Sequence, residues 1–86
     1  MKLLVIGSNS FSGSHFVSQS LREEHEVIGI SRSKQPKSFF LPYKWNTDDK
    51  YLKLLKKNFT FKSIDINKDL DLLIDIVDEH KPEYII

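Results

Sequence analysis

Two glycines and a group of small polar residues follow the first apolar segment of the chain. Residues 3–6 are all apolar, Gly7 comes directly after them, and Gly13 stands six positions further on. Glycine allows a chain to leave a strand sharply, and a helix that starts at such a turn has N–H groups without acceptors inside the helix. Such N–H groups and the positive end of the helix dipole bind phosphate. The pattern therefore predicts a phosphate-binding turn between a strand and a helix.

The elements that must position this turn follow from the apolar spacing. Phe16, Val17 and Leu21 recur at helical intervals, and with Gly13 and Ser20 they form the predicted inner face of the first helix. The predicted strands cover residues 2–6, 26–30 and 59–66 and a run from Tyr84 onwards, and the predicted helices cover about residues 12–24, 47–57 and 68–80. Strands that alternate with helices indicate a parallel sheet with right-handed crossovers. The predicted fold class is α/β, the N-terminal half of a Rossmann-type doubly wound parallel sheet.

The N-terminal caps of the two later helices are also predicted from side-chain chemistry. Thr47 precedes two aspartates that suit the positive end of a helix dipole, and Asn67 precedes the last apolar helix. Pro82 is expected to end that helix, and the last residues of the sequence lie within an apolar run. We therefore expect residues 1–86 to be part of a longer domain.

The composition sets limits on the class of protein. The chain has 86 residues, 13 of them lysine or arginine and 12 aspartate or glutamate, a formal net charge of +1, and no cysteine. This balance gives no general attraction to nucleic acid or to a membrane surface, and disulfides and thiolate metal sites are excluded. The three histidines lack the spacing of metal ligands. No apolar run is long enough for a signal segment or a membrane span. We expect a cytoplasmic protein with no metal, nucleic-acid or membrane partner.

The turn resembles a family signature. Residues 7–17, GSNSFSGSHFV, are similar to the G-x-x-G-F-I-G-x-x-L/V signature of extended short-chain dehydrogenases/reductases, the NAD-dependent epimerase/dehydratase family that acts on nucleotide sugars. Gly7, Phe11 and Gly13 match the signature, whereas Ser10 replaces its middle glycine and Ser12 its isoleucine. The resemblance implies an NAD(P)-binding Rossmann domain. The residues implied for cofactor binding at this turn are Gly7, Asn9, Ser10, Phe11, Ser12 and Gly13.

The end of the second predicted strand bears on the choice of cofactor. A dinucleotide-binding fold that prefers NAD usually has an acidic residue there for the ribose 2′-hydroxyl, but this chain has Ser31, Arg32 and Ser33. A guanidinium and two hydroxyls suit a 2′-phosphate better. We expect these residues to bind the ribose of NADP or NAD, with NADP slightly favoured. The alternative is that Arg32 is solvated or stacks on adenine without choosing between the cofactors.

Asp65 and Ile66 close the third predicted strand. In the resembling family an aspartate followed by an apolar residue at this place contacts the adenine: the carboxylate accepts from the exocyclic amine, and the next N–H meets a ring nitrogen. The resemblance implies these roles for Asp65 and Ile66. The residues alone also allow Asp65 to be a second capping residue for the helix that follows.

The resembling family transfers a proton and a hydride with a Tyr-x-x-x-Lys pair. No tyrosine in this sequence has a lysine four positions later. The resemblance therefore implies that residues 1–86 belong to a longer NAD(P)-dependent nucleotide-sugar epimerase or dehydratase and lack its catalytic residues. Two alternatives stay open: a non-catalytic NAD(P)-binding or sensing protein, and a structural α/β module without a ligand.

Several aromatic residues crowd the connection between the second predicted strand and the second predicted helix. They are Phe39, Phe40, Tyr43 and Trp45, with lysines nearby. Aromatic and basic residues together can bind single-stranded nucleic acid, but the chain has a balanced charge and no RNA-binding motif. We expect these residues to pack the connection onto the edge of the sheet. They could also contact a second subunit, as in a homodimer, or the rest of a longer chain.

Overall fold

A parallel sheet with helices on both faces is the framework of the computed structural model, which describes residues 1–32, 42–45 and 48–86. The strands are β1 (Lys2–Ile6), β2 (Glu26–Ser31), β3 (Phe59–Ser63) and β4 (Tyr84–Ile85), and the helices are α1 (Phe11–Arg22), α2 (Asp49–Asn58) and α3 (Leu70–His80), with a short 3₁₀ helix at Pro42–Lys44. Within the described residues the strand order is β3-β2-β1-β4. The fold is α/β and matches the predicted N-terminal half of a Rossmann-type sheet.

The strand register brings the carboxyl ends of three strands to one edge of the sheet. Ile6 at the end of β1 is paired with Ile30, one residue before the end of β2. Ser31, the last residue of β2, is paired with Ser63, the last residue of β3. Ligands of open α/β sheets bind outside the carboxyl ends of the strands, where the order of connection reverses. That reversal lies between β1 and β4 in this sheet, because the chain moves outward from β1 to β3 and then returns to the other side of β1.

Each face of the sheet has its own apolar core. The core under α1 and α2 consists of Val5, Val17, Leu21, Val27, Tyr43 and Tyr51. The core under α3 consists of Leu4, Ile28, Ile30, Ile64 and Ile76. Successive residues of β1 alternate between the two cores, because side chains alternate across a strand, and a central parallel strand is therefore apolar throughout.

The 3₁₀ helix is anchored to α1, α2 and β3 by two tyrosines. The ring of Tyr43 is fully buried and lies 4.8 Å from that of Phe59. The hydroxyl of Tyr51 donates a hydrogen bond to the carbonyl of Tyr43, burial raises the pKa of Tyr51, and the Arg22 guanidinium lies 5.9 Å from the Tyr51 ring. The predicted packing of the aromatic connection on the sheet is thus confirmed for Tyr43, whereas Trp45 is 53% exposed. Phe39 and Phe40 lie outside the described residues.

Several predicted boundaries and burials differ from the structure. α1 begins one residue earlier than predicted, and Phe16, predicted for the inner face, is 38% exposed, whereas Ser14 and Ser18 are buried in its place. β3 ends at Ser63 because its partner β2 ends at Ser31. α2 begins at Asp49 with Asp48 as its N-cap residue; the predicted cap, Thr47, lies outside the described residues.

The prediction that Asn67 caps the last helix is wrong. α3 begins at Leu70, and Asp69 is its N-cap residue. The N–H groups of Lys68 and Asp69 both donate to the carbonyl of Asp65, and the N–H of Asn67 donates to the Asp65 carboxylate. These bonds hold the chain in a turn ahead of the helix, so helical hydrogen bonding starts later. Aspartate side chains commonly compete with helix formation in this way.

Candidate functional site

The turn between β1 and α1 is tied to the neighbouring strand. Gly7 has a φ of +84°, a conformation that favours glycine. The N–H groups of Gly7 and Ser8 both donate to the carbonyl of Ile30, at 2.7 and 3.1 Å. The N–H of Ser10 donates back to the carbonyl of Gly7 at 2.9 Å. The turn therefore has a fixed position over the end of β2.

Ser10 caps the helix that this turn starts. Its hydroxyl donates to the carbonyl of Gly7 at 2.7 Å and accepts from the N–H of Gly13 at 3.0 Å. The first amide to bond within the helix is that of Ser14, which donates to the carbonyl of Ser10. Helix geometry leaves the N–H groups of Phe11 and Ser12, which precede it, without an acceptor inside the helix. These two donors, at the positive end of α1, are the groups expected to bind an anion.

Two close contacts explain why glycine is needed around this turn. A Cβ on Gly13 would lie 2.2 Å from the carbonyl oxygen of Gly7, so no larger residue fits without displacing the backbone. A Cβ on Gly29 of β2 would lie 2.7 Å from the hydroxyl oxygen of Ser8. That hydroxyl is fully buried and has no hydrogen-bond partner among the described residues. Because these two glycines have no side chain, the turn can pack closely against α1 and β2.

A crevice of about 300 Å³ opens at the carboxyl edge, beside this turn. Its walls come from the ends of β1, β2 and β3 and from the start of the β3–α3 connection, and the lining residues are Ile6, Gly7, Ile30, Ser31, Arg32, Ile64, Asp65, Ile66 and Asn67. Of the predicted site residues, the crevice brings together Gly7, Ser31, Arg32, Asp65 and Ile66. Ser10, Ser12 and Gly13 line a separate cavity on the β4 side of α1, and Ser33 lies outside the described residues.

The crevice is lined by one positively charged and one negatively charged side chain, those of Arg32 and Asp65. Arg32 is exposed at the end of β2, and among the residues that the structure describes no carboxylate lies within ion-pair distance of its guanidinium. Asp65 also lines the crevice, and one of its carboxylate oxygens accepts from the N–H of Asn67 at 3.0 Å. Asp65 therefore caps the turn ahead of α3 and not the helix itself, whose N-cap residue is Asp69, so the alternative that Asp65 caps the helix is wrong. The bond is made by Oδ1, so Oδ2 is the oxygen that could accept from a ligand.

One feature beside the turn could be predicted only in part. The Phe11 and His15 rings are 4.5 Å apart, and the Trp45 ring is 5.8 Å from that of His15, all in edge-to-face contact. The spacing of four residues on a helix predicts the first contact. The second brings together residues thirty positions apart, and no local pattern predicts it. In the described part of the chain no group of histidine and acidic side chains could hold a metal ion, and no helix is long and apolar enough to cross a bilayer.

Comparison with known proteins gives a family and several structural neighbours. The model of the NAD dependent epimerase/dehydratase family matches residues 3–86. Protein CapI of Staphylococcus aureus is 31% identical over 86 residues, which are 100% of this chain and 24% of that protein.

Two solved epimerases share the fold. The UDP-glucose 4-epimerase of Thermotoga maritima, solved with UDP-glucose, is 26% identical with a TM-score of 0.68 and covers 99% of this chain and 23% of its own. The UDP-glucose-4-epimerase of Stenotrophomonas maltophila, solved with NAD and formylated UDP-arabinopyranose, is 18% identical with a TM-score of 0.71 over the same shares. The chain therefore spans about a quarter of the length of these relatives.

Proposed function

Because this chain belongs to the NAD-dependent epimerase/dehydratase family, we propose that it is the pyrophosphate- and adenosine-binding part of a longer enzyme. The enzyme would act on a nucleotide sugar, as an epimerase or a dehydratase, with NAD(P) as its cofactor and in the cytoplasm. The observation that supports this proposal best is the position of the glycine turn beside the crevice. N–H donors, a cation and a carboxylate all lie at one edge of the sheet.

The β1–α1 turn suits a diphosphate. Gly7 and Gly13 leave the turn without side chains that would cover it, and Ser10 uses its own hydroxyl to cap the helix. The N–H groups of Phe11 and Ser12 are left as donors. Asn9 lies in the same turn, between β1 and α1. We assign these six residues to the pyrophosphate.

The end of β2 suits the adenosine ribose. The exposed Arg32 and the neighbouring Ser31 both line the crevice, and no described carboxylate lies within ion-pair distance of the Arg32 guanidinium. A cation and a hydroxyl would suit a 2′-phosphate. We assign Ser31, Arg32 and Ser33 to this ribose. The family is described as NAD-dependent, so the slight preference for NADP that we propose depends on these residues alone.

The start of the β3–α3 connection suits the adenine. Asp65 and Ile66 line the same crevice as Arg32. One oxygen of Asp65 caps the local turn, and the other would accept from the exocyclic amine, while the N–H of Ile66 would donate to a ring nitrogen. The same carboxylate would therefore serve both the fold and the ligand.

When bound, the nicotinamide would supply reversible hydride transfer with the sugar. The residues of this chain would hold the opposite end of the cofactor. They would therefore determine how tightly the cofactor binds and not which reaction the enzyme catalyses. No tyrosine among the 86 residues has a lysine four positions later. We therefore expect the acid–base pair in a further part of the enzyme. A Tyr-x-x-x-Lys pair in the full-length sequence would favour catalysis over the alternative, a non-catalytic NAD(P)-binding or sensing protein.

Calorimetric titration of the full-length protein with NADP⁺ and NAD⁺ tests the proposal. We expect both to bind, NADP⁺ slightly more tightly. Arg32→Ala should weaken NADP⁺ binding by about tenfold, the effect of losing one charge-assisted hydrogen bond, and should change NAD⁺ binding much less. Lys53→Ala, which removes an exposed charge from α2, is the matched control. Tighter NAD⁺ binding would overturn the NADP preference, and no binding of either cofactor would overturn the proposed function.

A further inference from the structure

Three aromatic rings connect the start of α1 to the segment that follows the 3₁₀ helix. Phe11, His15 and Trp45 form this aromatic stack, with ring centroids 4.5 and 5.8 Å apart and interplanar angles of 75° and 88°. Edge-to-face contact is a favoured arrangement of aromatic pairs. The middle ring, that of His15, therefore contacts both of the others.

The two ends of the stack have different surroundings. Trp45 directly follows Tyr43 and Lys44, and Tyr43 is fixed by its burial and by the hydroxyl of Tyr51. Phe11 is the first residue of α1, and its N–H is one of the two donors that have no acceptor inside the helix. The stack therefore runs from an anchored segment to the anion-binding end of a helix.

Burial alone does not account for this stack. Phe11 is 72% exposed and Trp45 is 53% exposed, so the two outer rings remove little apolar surface from water. The tyrosines already hold the 3₁₀ helix on the core. The contact of Trp45 with His15 links this segment to the first turn of α1, because the His15 ring also contacts Phe11.

We propose that Trp45 is a positioning residue for the phosphates of the dinucleotide, an inference that rests on the function proposed above. Through His15, Trp45 holds the Phe11 ring and with it the direction of the Phe11 and Ser12 N–H groups. Without Trp45 the first turn of α1 still forms, because Ser10 caps it. The N–H groups of Phe11 and Ser12 then point in a wider range of directions, and the phosphates are bound less tightly.

The test measures the dissociation constant of NADP⁺ for variants of the full-length protein. Trp45→Ala should raise it about two- to tenfold, the effect of losing one aromatic pair, while Trp45→Phe, which keeps a ring, should restore most of the affinity. Leu52→Ala, at an exposed position of α2, is the control. The thermal midpoint of Trp45→Phe should stay close to that of the unmodified protein, so the comparison holds even if Trp45→Ala unfolds.

A double-mutant cycle separates action through His15 from direct contact. If Trp45 acts through His15, the losses of affinity in His15→Ala and Trp45→Ala should not add in the double variant. The emission of Trp45, obtained as the difference between the unmodified protein and Trp45→Phe, should also change on addition of NADP⁺.

The outcomes are distinct. An unchanged dissociation constant in Trp45→Ala, or additive losses in the cycle, would overturn the positioning role while leaving the proposed function intact. Failure of the unmodified protein to bind NADP⁺ and NAD⁺ would overturn the proposed function and this inference with it.

Discussion

The β1–α1 and β3–α3 connections meet at the same edge of the sheet and are built differently. The first has four residues between strand and helix and is held by main-chain bonds to β2, with a serine that caps the helix through its side chain. The second has six residues and is held by bonds to Asp65, while its N-cap residue, Asp69, makes no side-chain capping bond. One connection is fixed by its neighbours, and the other mainly by its own sequence.

This difference matters for what each connection can bind. The β1–α1 turn has N–H donors and the positive end of a helix, which suit an anion. The β3–α3 connection has a carboxylate, which suits a hydrogen-bond donor such as an amine. The N–H donors of the first turn belong to the main chain, so a substitution that moves the main chain also moves the donors. The first turn should therefore tolerate substitution poorly. A side chain can be exchanged with less effect on the fold, so the second should tolerate it better.

Gly13→Ala should have the largest effect of the changes at the two connections. Its Cβ would lie 2.2 Å from the carbonyl oxygen of Gly7, and relief requires movement of the backbone. We expect the free energy of unfolding to fall by about 3 kcal/mol, measured by urea unfolding of the full-length protein followed by circular dichroism. Ser12→Ala, at an exposed position one residue away, should change it by less than about 0.5 kcal/mol. Equal midpoints for the two variants would show that the turn is not rigid.

The two N-cap residues give a direct comparison of the connections. Ser10→Ala removes a hydroxyl that both donates to Gly7 and accepts from Gly13, and should cost about 1 to 2 kcal/mol. Asp69→Ala removes a side chain with no capping bond, and should cost only about 0.5 kcal/mol through its charge at the helix dipole. The same urea titration measures both. A larger loss from Asp69→Ala would reverse the comparison.

The sequence predicted the first connection better than the second. Gly7 and Gly13 could be identified because their need for glycine comes from the backbone, which any strand–turn–helix of this kind shares. The start of α3 was mispredicted because Asp65 holds the residues after it in a turn, and the helix begins only after Asp69. Side-chain types alone do not show whether Asp65 forms this turn or Asn67 caps a helix. The contact of Trp45 with His15 depends on tertiary packing, which periodicity does not describe.

Asp65 allows the fold and the ligand to be tested separately. Asp65→Ala removes the acceptor for the N–H of Asn67 and should lower the free energy of unfolding by about 0.5 to 1 kcal/mol. Asp65→Asn can keep that acceptor through its amide oxygen, so it should restore most of the stability. It replaces the other carboxylate oxygen by a donor, so it should still bind NADP⁺ more weakly. Normal binding by Asp65→Asn would remove Asp65 from the adenine site.

Ser8→Ala should have the smallest effect, although Ser8 lies at the centre of the more rigid connection. The Ser8 hydroxyl is fully buried without a hydrogen-bond partner among the described residues, so its removal should leave the urea midpoint unchanged or raise the free energy of unfolding by up to about 1 kcal/mol. The N–H of Ser8, which donates to Ile30, is kept. A loss greater than about 1 kcal/mol would mean that the hydroxyl has a partner. The expected contrast with Gly13→Ala follows because main-chain bonds and the Ser10 hydroxyl hold the turn in place, and the Ser8 hydroxyl takes no part in these bonds.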